Sequence, residues 1–198
     1  LVLAYQFMAE CPSAFLKEVM DLFSLTALEI CEGQQMDMEF EQRNDVTAEE
    51  YLEMIRLKTA VLLAASLKIG ARLGGASVED AGRLYDFGMH IGVAFQLKDD
   101  LLDVYGNAKV FGKNIGGDIL CNKKTYMLIK ALEHANADQH NQLNSWINAE
   151  TFQPAEKIAA VTELYDRIGV KAVCENKILE YSNRAMESLA AVSIAEEK

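Results

Sequence analysis

Apolar residues recur every three to four positions along almost the whole chain, and no stretch alternates convincingly with period two. That pattern confines the chain to amphipathic helices whose apolar stripes must be buried against one another. Pro12, with Cys11 and Ser13, ends a helix already under way at Leu1. It starts another that runs through Leu16, Met20, Phe23, Ala27 and Ile30 towards Glu41. Asn44 and Asp45 read as a turn, and Thr47 with Glu50 forms a T-x-x-E capping box, whose side chains satisfy the free N–H groups of a new helix. That helix runs to about Leu73, where Gly74 and Gly75 stop it. Ser77 with Asp80 is a similar start signal, opening a long helix that reaches about Tyr105. Residues 107–122 lack clear periodicity. Four further helices are predicted, from about Thr125, Asp138, Pro154 and Val170. Helices of more than 20 residues with apolar stripes predict an all-α fold, a large bundle spanning residues 1–198 as one domain. Leu1, Ala4, Tyr5 and Met8 already fall at helical spacing, with no Met and no capping residue before them. The expectation is therefore that the domain is incomplete at its N-terminus.

Charge narrows the partners. With 19 Lys and Arg against 30 Asp and Glu, the net charge is −11. The chain has no broad footprint for nucleic acid or an anionic membrane. A small anionic substrate remains compatible, provided that cations converge locally or metal ions intervene. The longest apolar stretch, residues 60–67, is broken by Ser66 and falls far short of the ~20 residues that a membrane span needs. Cys11, Cys31, Cys121 and Cys174 are too scattered for a zinc site and too sparse for a disulfide scaffold. A reducing, cytoplasmic setting is expected.

Four constellations carry chemistry. Gln96, Asp99, Asp100 and Asp103 recur at i, i+3 and i+4 near the end of the long helix, a spacing that projects all four from one side. Carboxylates clustered there repel one another and oppose the helix dipole. They read either as a solvated acidic helix end or as hard oxygen ligands for Mg²⁺, which commonly shares its shell with substrate phosphates. Downstream, Gly112-Lys113 and Asn122-Lys123-Lys124-Thr125 bracket Gly116-Gly117-Asp118. This is either an ordinary surface loop or one that brings ammonium groups to a diphosphate beside the metal. Lys58-Thr59 sits in an apolar stripe between Met54 and Leu62, so its ammonium either reaches out to water or serves a site. Gly33, inside a helix at a cost of ~1 kcal/mol against alanine, is compatible with a close helix contact that lets Gln34 or Asp37 line a cavity, or with a plain polar face.

In order along the chain, these elements resemble the trans-isoprenyl diphosphate synthases, or polyprenyl synthetases. The motifs are G-Q-x-x-D at Gly33 to Asp37, Tyr51 with Lys58-Thr59-Ala60, F-Q-x-x-D-D-x-x-D at Phe95 to Asp103, G-K-x-x-G-x-D-I at Gly112 to Ile119, and Lys123-Lys124-Thr125. The resemblance covers roughly residues 1–135. It implies an all-α isoprenoid-synthase bundle around a central cavity, and Mg²⁺-dependent condensation of isopentenyl diphosphate with an allylic diphosphate through an allylic carbocation. It implies Asp99, Asp100 and Asp103 as metal ligands, Asp99 the most direct, and Lys58, Lys113 and Lys123 as diphosphate ligands. Thr59 and Gln96 would line the allylic site, and the protein would be a homodimer. The family's first aspartate-rich motif lies upstream of where this chain starts, so product length is not readable here. Two other readings compete. A terpene cyclase of the same fold lacks the Lys-Thr and Gly-Lys elements in its pattern. A non-catalytic partner subunit has no need of an intact Asp99-Asp100-Asp103 set.

Overall fold

A computed structural model of the chain describes residues 1–107 and 115–193. Among the described residues helices dominate and there is no strand. They are α1 Val2–Ala9, α2 Ser13–Gln42, α3 Ala48–Ile55, α4 Val61–Leu73, α5 Val78–Tyr105, α6 Gly117–Leu120, α7 Tyr126–His134, α8 Ala137–Ile147, α9 Pro154–Ile168 and α10 Val170–Ala190. The capping signals act as the sequence suggests. The Thr47 hydroxyl accepts from Glu50 N–H at 3.1 Å, and Glu50 returns an oxygen to Thr47 N–H at 2.9 Å. Ser77 Oγ accepts from Asp80 N–H at 3.0 Å.

Three features depart from the sequence pattern. Between α3 and α4, residues Arg56–Ala60 form a π-helical turn. Helix α6 lies inside the stretch without periodicity, because a helix of 4 residues is too short to repeat an apolar face. Helix α8 starts one residue earlier than expected, since Asn136 and Gln139 build a reciprocal capping box ahead of Asp138.

The chain divides into two compact units. The first holds Leu1–Asp37, Glu53–Ala94 and the segment from Glu180 onward. Its core includes Val19, Leu57, Ala60, Val61, Ala64 and Ala185. Small residues let its helices approach closely: a methyl group on Gly88 of α5 would lie 2.6 Å from Ala64 Cα on α4. The second unit holds Met38–Leu52 and Phe95–Leu179. Tyr51, Leu97, Met127, Leu143, Leu164 and Val170 are almost wholly buried there. All four cysteines are free thiols. No helix among the described residues is long and apolar enough to cross a membrane.

Candidate functional site

Lys58 and Thr59 lie in the π-helical turn of the first unit. There the N–H of Val61 bonds to the carbonyl of Arg56, five residues back instead of four. The extra residue widens the turn and re-aims the side chains on it; such turns are frequent at functional sites. Two glycines hold it. A methyl group on Gly33 of α2 would lie 2.5 Å from the Lys58 backbone nitrogen, and one on Gly92 of α5 would lie 2.6 Å from Ala60 Cα. Gly33 therefore marks the close helix contact that its sequence position suggested. Lys58 Nζ pairs with Asp37 Oδ2 at 2.7 Å, one helical turn beyond Gly33. The lysine is thus neither an unpaired buried charge nor a chain simply reaching for water.

In the second unit, the end of α5 separates its acids. Successive helical residues point about 100° apart, so Asp99 is exposed while Asp100 is 2% exposed. Gln96, Asp99, Asp100 and Asp103 fall within about 100° of the helix circumference, so they share one side as the spacing suggests, with Asp100 at its buried edge, hydrogen-bonded to Gln96, and Asp99 at its exposed edge. The Asp100 carboxylate accepts from the Tyr51 hydroxyl, and from Gln96 Nε2 at 3.2 Å. Burial pushes the Asp100 carboxyl up to about 6, against the pull of Lys123, 3.8 Å away, and of Tyr51. The Tyr51 hydroxyl is itself driven upward by burial and by Asp100, so it donates.

Asp103, half-exposed, accepts the Asp118 backbone N–H at 2.9 Å and so anchors the start of α6 to α5. This brings the Asp118 side chain among the acids of α5. Burial raises its carboxyl, the Lys123 ammonium at 3.5 Å lowers it, and Asp103 and Asp99 add further repulsion. Asp118 was legible only as one letter of a glycine-rich motif, and its fourth-acid role needs the fold. Gly112 and Lys113 lie outside the described residues.

Among the described residues no set of three acidic, histidine or cysteine side chains converges as a ready-made metal cage. Mg²⁺ does not require one, since it is commonly held by one or two carboxylates plus water and substrate phosphate. The donor chemistry fits: exposed Asp99 and half-exposed Asp103 present hard oxygens, and Asp118, whose carboxyl is raised first by burial and further by the charges of Asp103 and Asp99, adds a third carboxylate beside them.

The described residues are thus an all-α protein with an acid-and-lysine site at the end of a long helix. Residues 1–165 match the polyprenyl synthetase family, and the chain belongs to it. A short chain isoprenyl diphosphate synthase from Methanothermobacter thermautotrophicus is 40% identical over 177 residues, which are 89% of this chain and 54% of that protein. The crystal structure of a geranylgeranyl pyrophosphate synthase superposes with a TM-score of 0.92 at 37% identity, covering 99% of this chain and 61% of that one. A geranylgeranyl pyrophosphate synthase from Corynebacterium glutamicum, solved with isoprenyl diphosphate and magnesium, gives a TM-score of 0.84 at 29% identity, covering 94% of this chain and 53% of that one. The fold is that of the isoprenoid synthases, and the chain spans little more than half the length of these relatives.

Proposed function

We propose that the protein carrying this chain condenses isopentenyl diphosphate with a short allylic diphosphate, of the dimethylallyl, geranyl or farnesyl type. The carbon–oxygen bond of the allylic diphosphate breaks, leaving an allylic cation and diphosphate. The double bond of isopentenyl diphosphate attacks the cation, a carbon–carbon bond forms, and a proton is lost. The barrier lies in separating these charges, so the protein's task is to receive the leaving anion and keep water from the cation.

One observation carries this reading. In a chain of the polyprenyl synthetase family, Lys123 stands 3.5 Å from Asp118 and 3.8 Å from Asp100, in the same cluster as Asp99 and Asp103. Acids and a lysine so arranged suit a diphosphate accompanied by cations. Asp99 and Asp103, with Asp118 beside them, would hold Mg²⁺, which when bound neutralises charge on the leaving diphosphate. Lys58, Lys113 and Lys123 would donate to its oxygens, and Thr59 and Gln96 would line the allylic end. Asp100, its oxygens engaged by Tyr51 and Gln96, acts by fixing those groups and steadying Lys123. A homodimer is the proposed assembly, and Leu25 and Leu28, more than half exposed on α2, are apolar surface available for it. The cytoplasm is the proposed setting.

The test is incorporation of radiolabelled isopentenyl diphosphate with each of the three allylic diphosphates, with and without Mg²⁺. Chain elongation that depends on Mg²⁺ is expected. Conversion of an allylic diphosphate to a cyclic hydrocarbon without isopentenyl diphosphate would overturn the reading in favour of a cyclase.

A further inference from the structure

A buried lysine outside the acid cluster underlies its geometry. Lys157 stands in the first turn of α9, after Pro154, and is 1% exposed. The position is doubly costly. Burial disfavours the ammonium, and a cation near a helix N-terminus opposes the helix dipole. Burial accordingly lowers the Lys157 ammonium from its ordinary value. Nζ donates to Asn122 Oδ1 at 2.7 Å, and it lies 4.3 Å from the centre of the Phe152 ring.

Asn122 is the only non-glycine residue with positive φ, at 51°, among the described residues. Its side chain is held at both ends, since Nδ2 donates to the Ile147 carbonyl at 2.9 Å. The next residue is Lys123. The left-handed turn at Asn122 sends the chain back so that Lys123 N–H reaches the Asp118 carbonyl at 3.0 Å, and its ammonium reaches Asp100 and Asp118. The neighbour of Lys157 secures the other end of this segment: a methyl group on Gly116 would lie 2.7 Å from Ile158. The first turn of α9 therefore grips both ends of the segment that carries Asp118 and leads into Lys123.

We infer that Lys157 is a positioning residue that fixes the left-handed turn at Asn122 and thereby aims Lys123 at the diphosphate. The inference rests on the proposed role of Lys123 and deepens it.

The test is a double-mutant cycle in the protein carrying this chain, read as affinity for inorganic diphosphate with Mg²⁺ by calorimetry. Lys157→Met keeps the length and removes the donor. It should weaken diphosphate binding roughly tenfold, the scale of one misplaced charge-assisted contact. In a Lys123→Ala background the same change should cost nothing further, because the group it positions is gone. In turnover, kcat should fall along with diphosphate affinity, because Lys123 meets charge that grows on the leaving diphosphate, and this fall too should vanish in the Lys123→Ala background. Asn122→Gly, which tolerates the left-handed backbone but offers Lys157 no acceptor, should reproduce both the loss and its disappearance in the Lys123→Ala background. This second variant decides the matter if Lys157→Met does not fold. Losses that multiply independently of Lys123, or unchanged binding in a folded Lys157→Met or Asn122→Gly protein, overturn the positioning role alone. Unchanged binding in Lys123→Ala overturns the reading of Lys123 as a diphosphate ligand, and this inference with it.

Discussion

Gly33 of α2 packs directly against the backbone of Lys58, so closely that an added methyl would lie 2.5 Å from the Lys58 nitrogen and 2.8 Å from Leu57 Cβ. The neighbours within reach are backbone and Cβ atoms, which cannot rotate away. Gly33→Ala is therefore overpacked and should cost about 1–3 kcal/mol of stability. It should also shift the π-helical turn and, with it, Lys58 and Thr59. Urea unfolding and diphosphate binding should both report the change, and a variant matching the parent in both would mean that the contact is loose.

Asp99 should separate function from stability. It is exposed and shares its surroundings with other acids, so removing it relieves repulsion. Asp99→Ala is expected to leave unfolding within about 0.5 kcal/mol of the parent, as at most surface positions. Turnover with Mg²⁺ should fall by orders of magnitude, and turnover near the parent level would remove Asp99 from the metal site.

Asp100 should leave a pH signature on stability when divalent ions are absent. Its carboxyl is raised from 3.8 to about 6, so the folded state holds the proton more tightly than the unfolded state. That contribution to stability is full below pH 4 and is lost as pH rises through 6. In Asp100→Asn the amide oxygen can still accept from Tyr51, while no carboxylate is left to ionise. The variant should match the parent near pH 4 and exceed it at pH 8, by up to about 3 kcal/mol if the whole shift is felt. Denaturant midpoints at the two pH values check this, and a parent that gains stability from pH 4 to 8 relative to the variant would reverse the sign.

Lys58→Met tests the other lysine. Its ion pair with Asp37 is partly exposed, and such pairs contribute at most about 1 kcal/mol. Thermal unfolding should move little, whereas Mg²⁺-dependent diphosphate affinity should drop clearly. A large stability loss with unchanged affinity would make the pair structural.

Most helices and several of their starts were legible in the sequence because they are set locally. An apolar stripe with period 3.6 and a hydroxyl three residues before an acid act within one or two turns, as Thr47–Glu50 and Ser77–Asp80 do. The motifs carrying Lys58, Asp99, Asp103 and Lys123 could be read for the same reason, as residue types at fixed spacing. What each does with its charge was not legible there. Asp99 and Asp100 are adjacent and chemically identical, yet one faces solvent and the other is buried beneath Tyr51, 49 residues away in sequence. The π-helical turn depends on glycines in α2 and α5, and the aim of Lys123 depends on Lys157, which carries no motif. Spacing along a chain determines which residues share a helix. Burial, and with it the energy of a charge, is decided by whatever the tertiary structure brings from elsewhere.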